Sequence, residues 1–256
     1  MKMMTLCIKC YSSFNIEIDN EFFEGKQITC PHGHNYYYFP ESPKYPFLFQ
    51  LSIRAFRNGY YSEAFQALYS GFESFKEEYV GIHYYSQSKN IDKVTALMKR
   101  INRSEKIDGA FTLSYAEDFG ELPKKMPNNL IEKRNKIIHS GDFPTKEIIT
   151  KMGNWIFSFV LTVHEKFNKN RVENFDTSSL VYTSEKTTKK IADKGFNINN
   201  IDKDFNVNYV RQSLAITAIS PNIILNDTID NPYEYFVSDP LYSSAFDQVY
   251  TNQEFA

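Results

Sequence analysis

Between Pro46 and about Asn168, apolar residues return every three or four positions, a spacing that commits this half of the chain to amphipathic helices packed on one another. A helix from Pro46 to Arg57 would stop at Asn58-Gly59, where glycine takes a left-handed turn at little cost. A second helix, capped by Ser62, carries Phe65, Leu68, Phe72, Phe75, Tyr79 and Ile82 along one face. A weaker third begins near Ile91 with Val94, Leu97, Met98 and Ile101, and an irregular stretch follows through Gly120 and Pro123. The fourth runs from about Pro127 to Ser140-Gly141. Asp142 and Pro144 then lead into a long last helix with the stripe Ile148, Met152, Trp155, Phe159 and Val163. Four main helices with mostly short connections imply a bundle, so the expected fold class is mainly α.

The flanks follow other rules. Residues 1–39 read as a small module with strands at Phe14 to Ile18 and Gln27 to Thr29, joined through Asn20 and Gly25. Glu41-Ser42-Pro43 marks a linker, and the bundle occupies 46–168. In residues 169–256 the helical period fades: Ser179 to Thr183, Phe205 to Val210, Ser213 to Ile219 and Asn222 to Leu225 look like strands and Glu185 to Lys194 like a short helix, which makes an α+β region. From Ile201 onward the chain is acidic, either as a solvated surface or as a segment that meets a basic one.

Composition narrows the function. The 256 residues are 42% hydrophobic, enough for a packed core, and carry a formal net charge of −2. No global basic field draws nucleic acid, so any such binding must come from a local patch. No apolar run is long enough to span a bilayer, and Met1 to Cys10 lacks the apolar core of a signal peptide. The expected location is the cytoplasm, with no membrane partner.

All three cysteines lie in the first module, an odd number that suits metal ligation better than a disulfide framework. Cys7-Ile8-Lys9-Cys10 and Cys30-Pro31-His32-Gly33-His34, separated by a hairpin, have the arrangement of two zinc knuckles facing one ion. A 39-residue module needs such a staple, since its hydrophobic core alone is too small. Gly33 stands where a zinc ribbon normally has its fourth cysteine. His34 is the preferred substitute and His32 the second choice. Four protein ligands leave no open position for water, so the zinc would be structural and not catalytic. Tyr36, Tyr37, Tyr38 and Phe39 either pack into the core and linker or stack on bases.

The second chemical feature is Arg134-Asn135-Lys136-Ile137-Ile138-His139. Arg134 shares a helix face with Leu130, Ile131, Ile137 and Ile138, where an unpaired charge would be too costly to keep. It must meet a carboxylate, a partner chain or a phosphate. Asn135 and His139 are four residues apart and share a neighbouring face. Histidine moves protons near neutral pH and arginine stabilises charge on a phosphate, so Arg134, Asn135 and His139 have the chemistry for RNA cleavage. Glu132 lies close to His139 on the helical wheel, and Glu73 is a possible arginine partner from the second helix; a surface ion pair and a core-edge residue are the plainer readings. His83 and His164 have no comparable surroundings and read as structural or surface residues.

An arginine followed by asparagine, with histidine after a short gap at the end of a helix and a long apolar helix beyond, resembles the signature of the HEPN family. The segment Gly59-Tyr60-Tyr61-Ser62-Glu63-Ala64, continuing through Ala67 and Glu73 to Phe75, is similar to the second helix of many HEPN domains. The resemblance covers roughly Pro46 to Asn168. It implies a bundle that dimerises so that two motifs face one another. Active members are metal-independent ribonucleases leaving 2′,3′-cyclic phosphate ends, many of them toxins or antiphage effectors. The implied partners are RNA, a second copy of the chain and an antitoxin or defence-system protein. The alternative is a catalytically inactive HEPN scaffold that binds nucleic acid or protein.

Overall fold

A computed structural model describes residues 2–171, 173–196, 209–212 and 230–238, and these are mainly helical with a few short strands. The described residues divide into two compact units. One holds 2–42, 180–196 and 209–212; the other holds 43–171, 173–179 and 230–238. The stretch beyond Asn168 therefore contributes to both.

In the first unit, Lys2–Leu6 (β1) and Ser13–Glu17 (β2) form an antiparallel hairpin in which Met3 faces Ile16 and Thr5 faces Phe14. Phe14 and Ile16 alternate inward from β2, the period-two pattern of a half-buried strand. Asn20–Glu24 is a short helix (α1), not the turn expected there, because the Asp19 carboxylate caps it by accepting the Phe22 N–H at 2.9 Å. Lys26–Thr29 (β3) pairs antiparallel with Asn35–Pro40 (β4), and Tyr209–Gln212 (β5) adds to β4 in parallel, with Tyr38 opposite Val210. Tyr36, Tyr38 and Phe39 are buried. These aromatics are core, and Tyr37 meets Phe196 at 5.1 Å.

In the second unit the helical stripes become Tyr45–Arg57 (α2), Tyr61–Ser88 (α3), Ile91–Arg100 (α4), Ser104–Phe119 (α5), Asn128–Ser140 (α6) and Lys146–Asn170 (α7). Ser62 lies inside α3 and is not its cap. The stretch expected to be irregular before Gly120 is α5, which buries Ile107, Phe111 and Tyr115 on one face. Phe175–Asp193 (α8) is a single helix, so Ser179 to Thr183 is not a strand and Glu185 to Lys194 is not a separate helix. Of the other expected strands, 209–210 falls in β5, while 205–208, 213–219 and 222–225 lie outside the described residues.

Aromatic rings knit the helical unit together. Phe49 of α2 meets Phe157 of α7 at 5.0 Å, Tyr45 meets Phe75 of α3 at 5.3 Å, and Tyr79 meets Phe111 of α5 at 5.1 Å, all near-perpendicular contacts favoured by the ring quadrupoles. Pro232–Ser238 (α9) docks against α2 and α7. A Cβ at Gly153 would stand only 2.4 Å from the Tyr233 ring, so the absence of a side chain there creates the slot that Tyr233 fills. The Tyr233 hydroxyl reaches Ser52 Oγ at 3.0 Å. Asn154 Oδ1 accepts the Tyr233 and Glu234 N–H groups at 2.9 and 3.1 Å, while Arg57 Nε donates to the Val237 carbonyl at 2.8 Å. Both ends of α9 are thereby satisfied.

Candidate functional site

The structure brings Cys7, Cys10, Cys30 and His34 together, with one donor atom from each lying within 4.8 Å of all the others. Cys7 and Cys10 sit in the turn between β1 and β2, and Cys30 and His34 in the turn between β3 and β4. Zn–S bonds of about 2.3 Å and Zn–N bonds of about 2.0 Å imply tetrahedron edges of about 3.8 Å between sulfurs and about 3.5 Å between sulfur and nitrogen. The observed separations are 3.8 Å for Cys10 Sγ to Cys30 Sγ, and 3.4 and 3.7 Å from His34 Nδ1 to Cys30 and Cys7 Sγ. The sulfurs are far too distant for a disulfide, whose S–S bond is about 2.05 Å. The donor set and its spacing can hold a metal ion.

The turns explain how these short segments aim four donors inward. The Lys9 N–H lies 3.4 Å from Cys7 Sγ, and the Tyr11 N–H donates to the Cys7 carbonyl at 2.8 Å. Opposite, the Gly33 N–H donates to the Cys30 carbonyl at 2.9 Å, with Gly33 at φ 81°. That left-handed conformation is costly for any side-chain-bearing residue and suits glycine, and the donor on this side of the cluster comes from the next residue, His34. His32 is exposed and outside the cluster. Hydrogen bonding by the Ser12 hydroxyl and backbone brings the Cys10 thiol down to about 6, whereas burial pushes Cys7 up.

Arg134 and Asn135 lie in the helical unit. The Arg134 guanidinium rests over the Tyr69 ring of α3, 4.5 Å from its centroid, and its Nη1 donates to Asn135 Oδ1 at 3.0 Å. Within one chain the arginine thus meets an aromatic face, a partner that its place in the apolar stripe did not disclose. Its Nε is shielded from solvent with no hydrogen-bond acceptor, and among the described residues it forms no ion pair. Glu73 is engaged elsewhere, accepting from the Ser104 hydroxyl, and Glu132 is exposed. Burial raises the Tyr69 phenol, opposed by the neighbouring guanidinium.

Arg134 and Asn135 border a cavity of about 310 Å³. Tyr69, Phe72, Phe111, Trp155 and Phe159 supply its aromatic lining, and Lys76, Lys124 and Lys125 add positive charge against the single carboxylate of Asp108. Lys76 is almost wholly buried and paired with Asp108 at 2.6 Å. His139 does not border this cavity; it stands exposed in the last turn of α6. Arg134 and His139 are five residues apart, so an ideal helix turns them about 140° from one another. On one α6 the two side chains therefore leave from different faces.

The other two histidines are structural. His83 is buried between two carboxylates, with Nδ1 3.1 Å from Asp118 Oδ1 and Nε2 3.0 Å from Glu117 Oε2. Against the effect of burial, His83, Tyr79 and Arg171 hold Asp118 below the usual carboxylate range. His164 stacks on Phe75 and Phe175, and burial lowers it to about 3.

No family model, curated protein or solved structure matches this chain. Sequence reasoning missed Tyr69, Lys76, Lys124, Lys125 and Trp155 as parts of the cavity. The Pro123-Lys124-Lys125 run between α5 and α6 was the available signal for a local basic patch, but Trp155 was indistinguishable from its core-facing neighbours. Among the described residues, no helix is long and apolar enough to cross a membrane.

Proposed function

We propose that this chain is a metal-independent endoribonuclease of the HEPN type that works as a homodimer, with Arg134, Asn135 and His139 as its catalytic residues. The observation that carries this reading is the seating of Arg134 and Asn135 on the wall of a cationic, aromatic-lined cavity. Arg134 would stabilise the scissile phosphate, and Asn135 would orient that phosphate or His139. His139 would take the proton from the RNA 2′-OH, or deliver one to the departing 5′ oxygen, as the 2′ oxygen attacks phosphorus. The 5′ P–O bond breaks, leaving a 2′,3′-cyclic phosphate and a free 5′-hydroxyl.

The angular separation of Arg134 and His139 favours a site completed by a second copy. So does the surface of α6, which buries only Leu130 and leaves Ile131 and Ile138 exposed, with Phe143 beyond it 88% exposed. An apolar surface beside a charged cleft is suited to pairing of two copies. The biological role that fits is a toxin or antiphage effector in the cytoplasm, restrained by an antitoxin or defence partner. In the other unit, Cys7, Cys10, Cys30 and His34 would hold structural zinc, with all four positions taken by protein and none left for catalysis.

The test is incubation of the purified full chain with single-stranded RNA in EDTA, with sedimentation to establish its oligomeric state. Cleavage should persist, leave cyclic phosphate ends, and fall by about a hundredfold or more in His139→Ala and in Arg134→Ala, the scale of a lost acid–base or oxyanion-stabilising group. A folded variant with undiminished activity would remove that residue from the mechanism, and a strictly monomeric active enzyme would remove the shared site. RNA binding with no cleavage by the wild-type chain would place it in the scaffold class.

A further inference from the structure

The cavity beside Arg134 has a neighbour. A second cavity of about 310 Å³, bordered by Tyr115, Ser158, Thr162 and Lys166, shares Leu122, Lys124, Trp155 and Phe159 with the first. Trp155 is one of four residues common to both, which sets the two cavities side by side along one groove wall. This ring is half-buried, laid nearly parallel on Phe159 at 5.1 Å and 20°, with Phe72 perpendicular to it at 5.7 Å. A tryptophan fixed by two neighbours and still bordering open space is a preorganised stacking surface.

Charge selects what would lie on it. Among the described residues the first cavity has four cations, Lys76, Lys124, Lys125 and Arg134, against one carboxylate, Asp108, and the second adds Lys166 and Glu121, paired with each other, in a chain whose formal net charge is −2. Lys124 and Lys125 are exposed on the segment between α5 and α6 and, among the described residues, form no ion pair like that of Lys76 with Asp108. An apolar aromatic floor with a cationic rim complements a flat heterocycle carrying a phosphate.

We propose that this groove is a subsite for one unpaired nucleotide of single-stranded RNA, with its base stacked on Trp155 and its phosphates held by Lys124, Lys125 and Arg134. The proposal deepens the ribonuclease reading and takes from it the identity of the polymer. A duplex fits less well because its bases are already stacked on one another and offer no free face to Trp155. The subsite would place the strand so that the phosphate next to the stacked base reaches Arg134 and Asn135. The base on Trp155 then fixes where the strand is cut.

Trp155 is the only tryptophan in the chain, so fluorescence excited selectively at tryptophan, beyond the absorption of the 18 tyrosines, reports on this groove alone. The full chain is titrated with a short single-stranded oligoribonucleotide bearing 2′-O-methyl riboses, which cannot be cleaved through the 2′ oxygen. The same oligonucleotide in duplex form and adenosine monophosphate serve as the other arms. Saturable quenching by the single strand, much weaker quenching by the duplex and by the free nucleotide, and about tenfold weaker binding by Lys124→Glu/Lys125→Glu are expected. That variant keeps the fluorophore and alters only exposed side chains, while Trp155→Leu, followed by anisotropy of a labelled strand, should weaken binding by about fivefold or more. No saturable quenching by the single strand, unchanged affinity in the lysine variant, or equally tight binding of adenosine monophosphate overturns the proposal. If quenching is absent while His139-dependent cleavage persists, the subsite falls and the ribonuclease stands; quenching without cleavage gives the reverse.

Discussion

The two units of this protein reach order by opposite routes. The first builds its turns around four donor atoms, with small sheets and an aromatic cluster beside them. The second spreads its cohesion over aromatic contacts among long helices, so that no single pair dominates. A unit stapled at one point is all-or-none with respect to that point. A unit packed everywhere loses stability in increments and can accommodate polar exceptions such as His83 and the groove beside Arg134.

The largest effect should come from attacking the staple. Cys7→Ser is expected to abolish stoichiometric zinc binding and strip hydrogen-exchange protection from 2–42, because structural zinc sites of this kind supply about 10 to 16 kcal/mol of apparent binding energy. Protection in α3 and α7 should survive. Metal-free wild-type protein with an ordered N-terminal unit, by elemental analysis and exchange, would erase the contrast.

A middle effect should come from the imidazole buried in the second unit. Among the described residues neither ring nitrogen of His164 has a hydrogen-bond partner, Asp176 Oδ1 lies 3.9 Å from Nδ1, and burial lowers the imidazole to about 3. Since its folded value lies below the ordinary 6.5, its stabilising contribution is present above about pH 6.5 and is lost as pH falls from there towards 3. Between pH 7.5 and pH 5 the loss amounts to about 2 kcal/mol. His164→Leu should flatten that part of the melting-temperature profile; an unchanged slope between those pH values would mean that the histidine is not buried neutral.

The smallest effect should come from Asn154→Ala, which removes the cap on α9. A lost cap costs about 1 kcal/mol, visible as a modest shift in denaturation midpoint and as faster exchange confined to 232–238. If that variant unfolded the whole helical unit, cohesion there would be concentrated after all.

The sequence was most informative where one interaction dominated. The stripes of α2, α3 and α7 show hydrophobic burial directly, and Ser140-Gly141 marks the end of α6. The cysteine spacing pointed to the cluster because metal geometry tolerates few arrangements. Two of the missed elements, α5 and α8, have buried faces that include polar residues. α5 has Ser114 and Asp118 among Ile107, Phe111 and Tyr115, and Asp118 is held inside by Tyr79, His83 and Arg171. α8 similarly buries Ser179, bonded to Glu78, together with Thr183 and Thr187. The β-branched and hydroxyl residues of α8 favour strand locally, but its tertiary hydrogen bonds outweigh that propensity. Arg134 and Asn135 were recognisable as chemistry; the groove around them was not, because Tyr69, Trp155 and the lysines come from separate segments.

The fit of Tyr233 against Gly153 also has an evolutionary consequence. Positions 153 and 233 are far apart in sequence but share a single volume, so a lineage that gains a side chain at 153 must shrink or move the ring at 233. The two positions should therefore drift as a pair: a saturation library of double substitutions would recover small residues at 233 wherever 153 has grown.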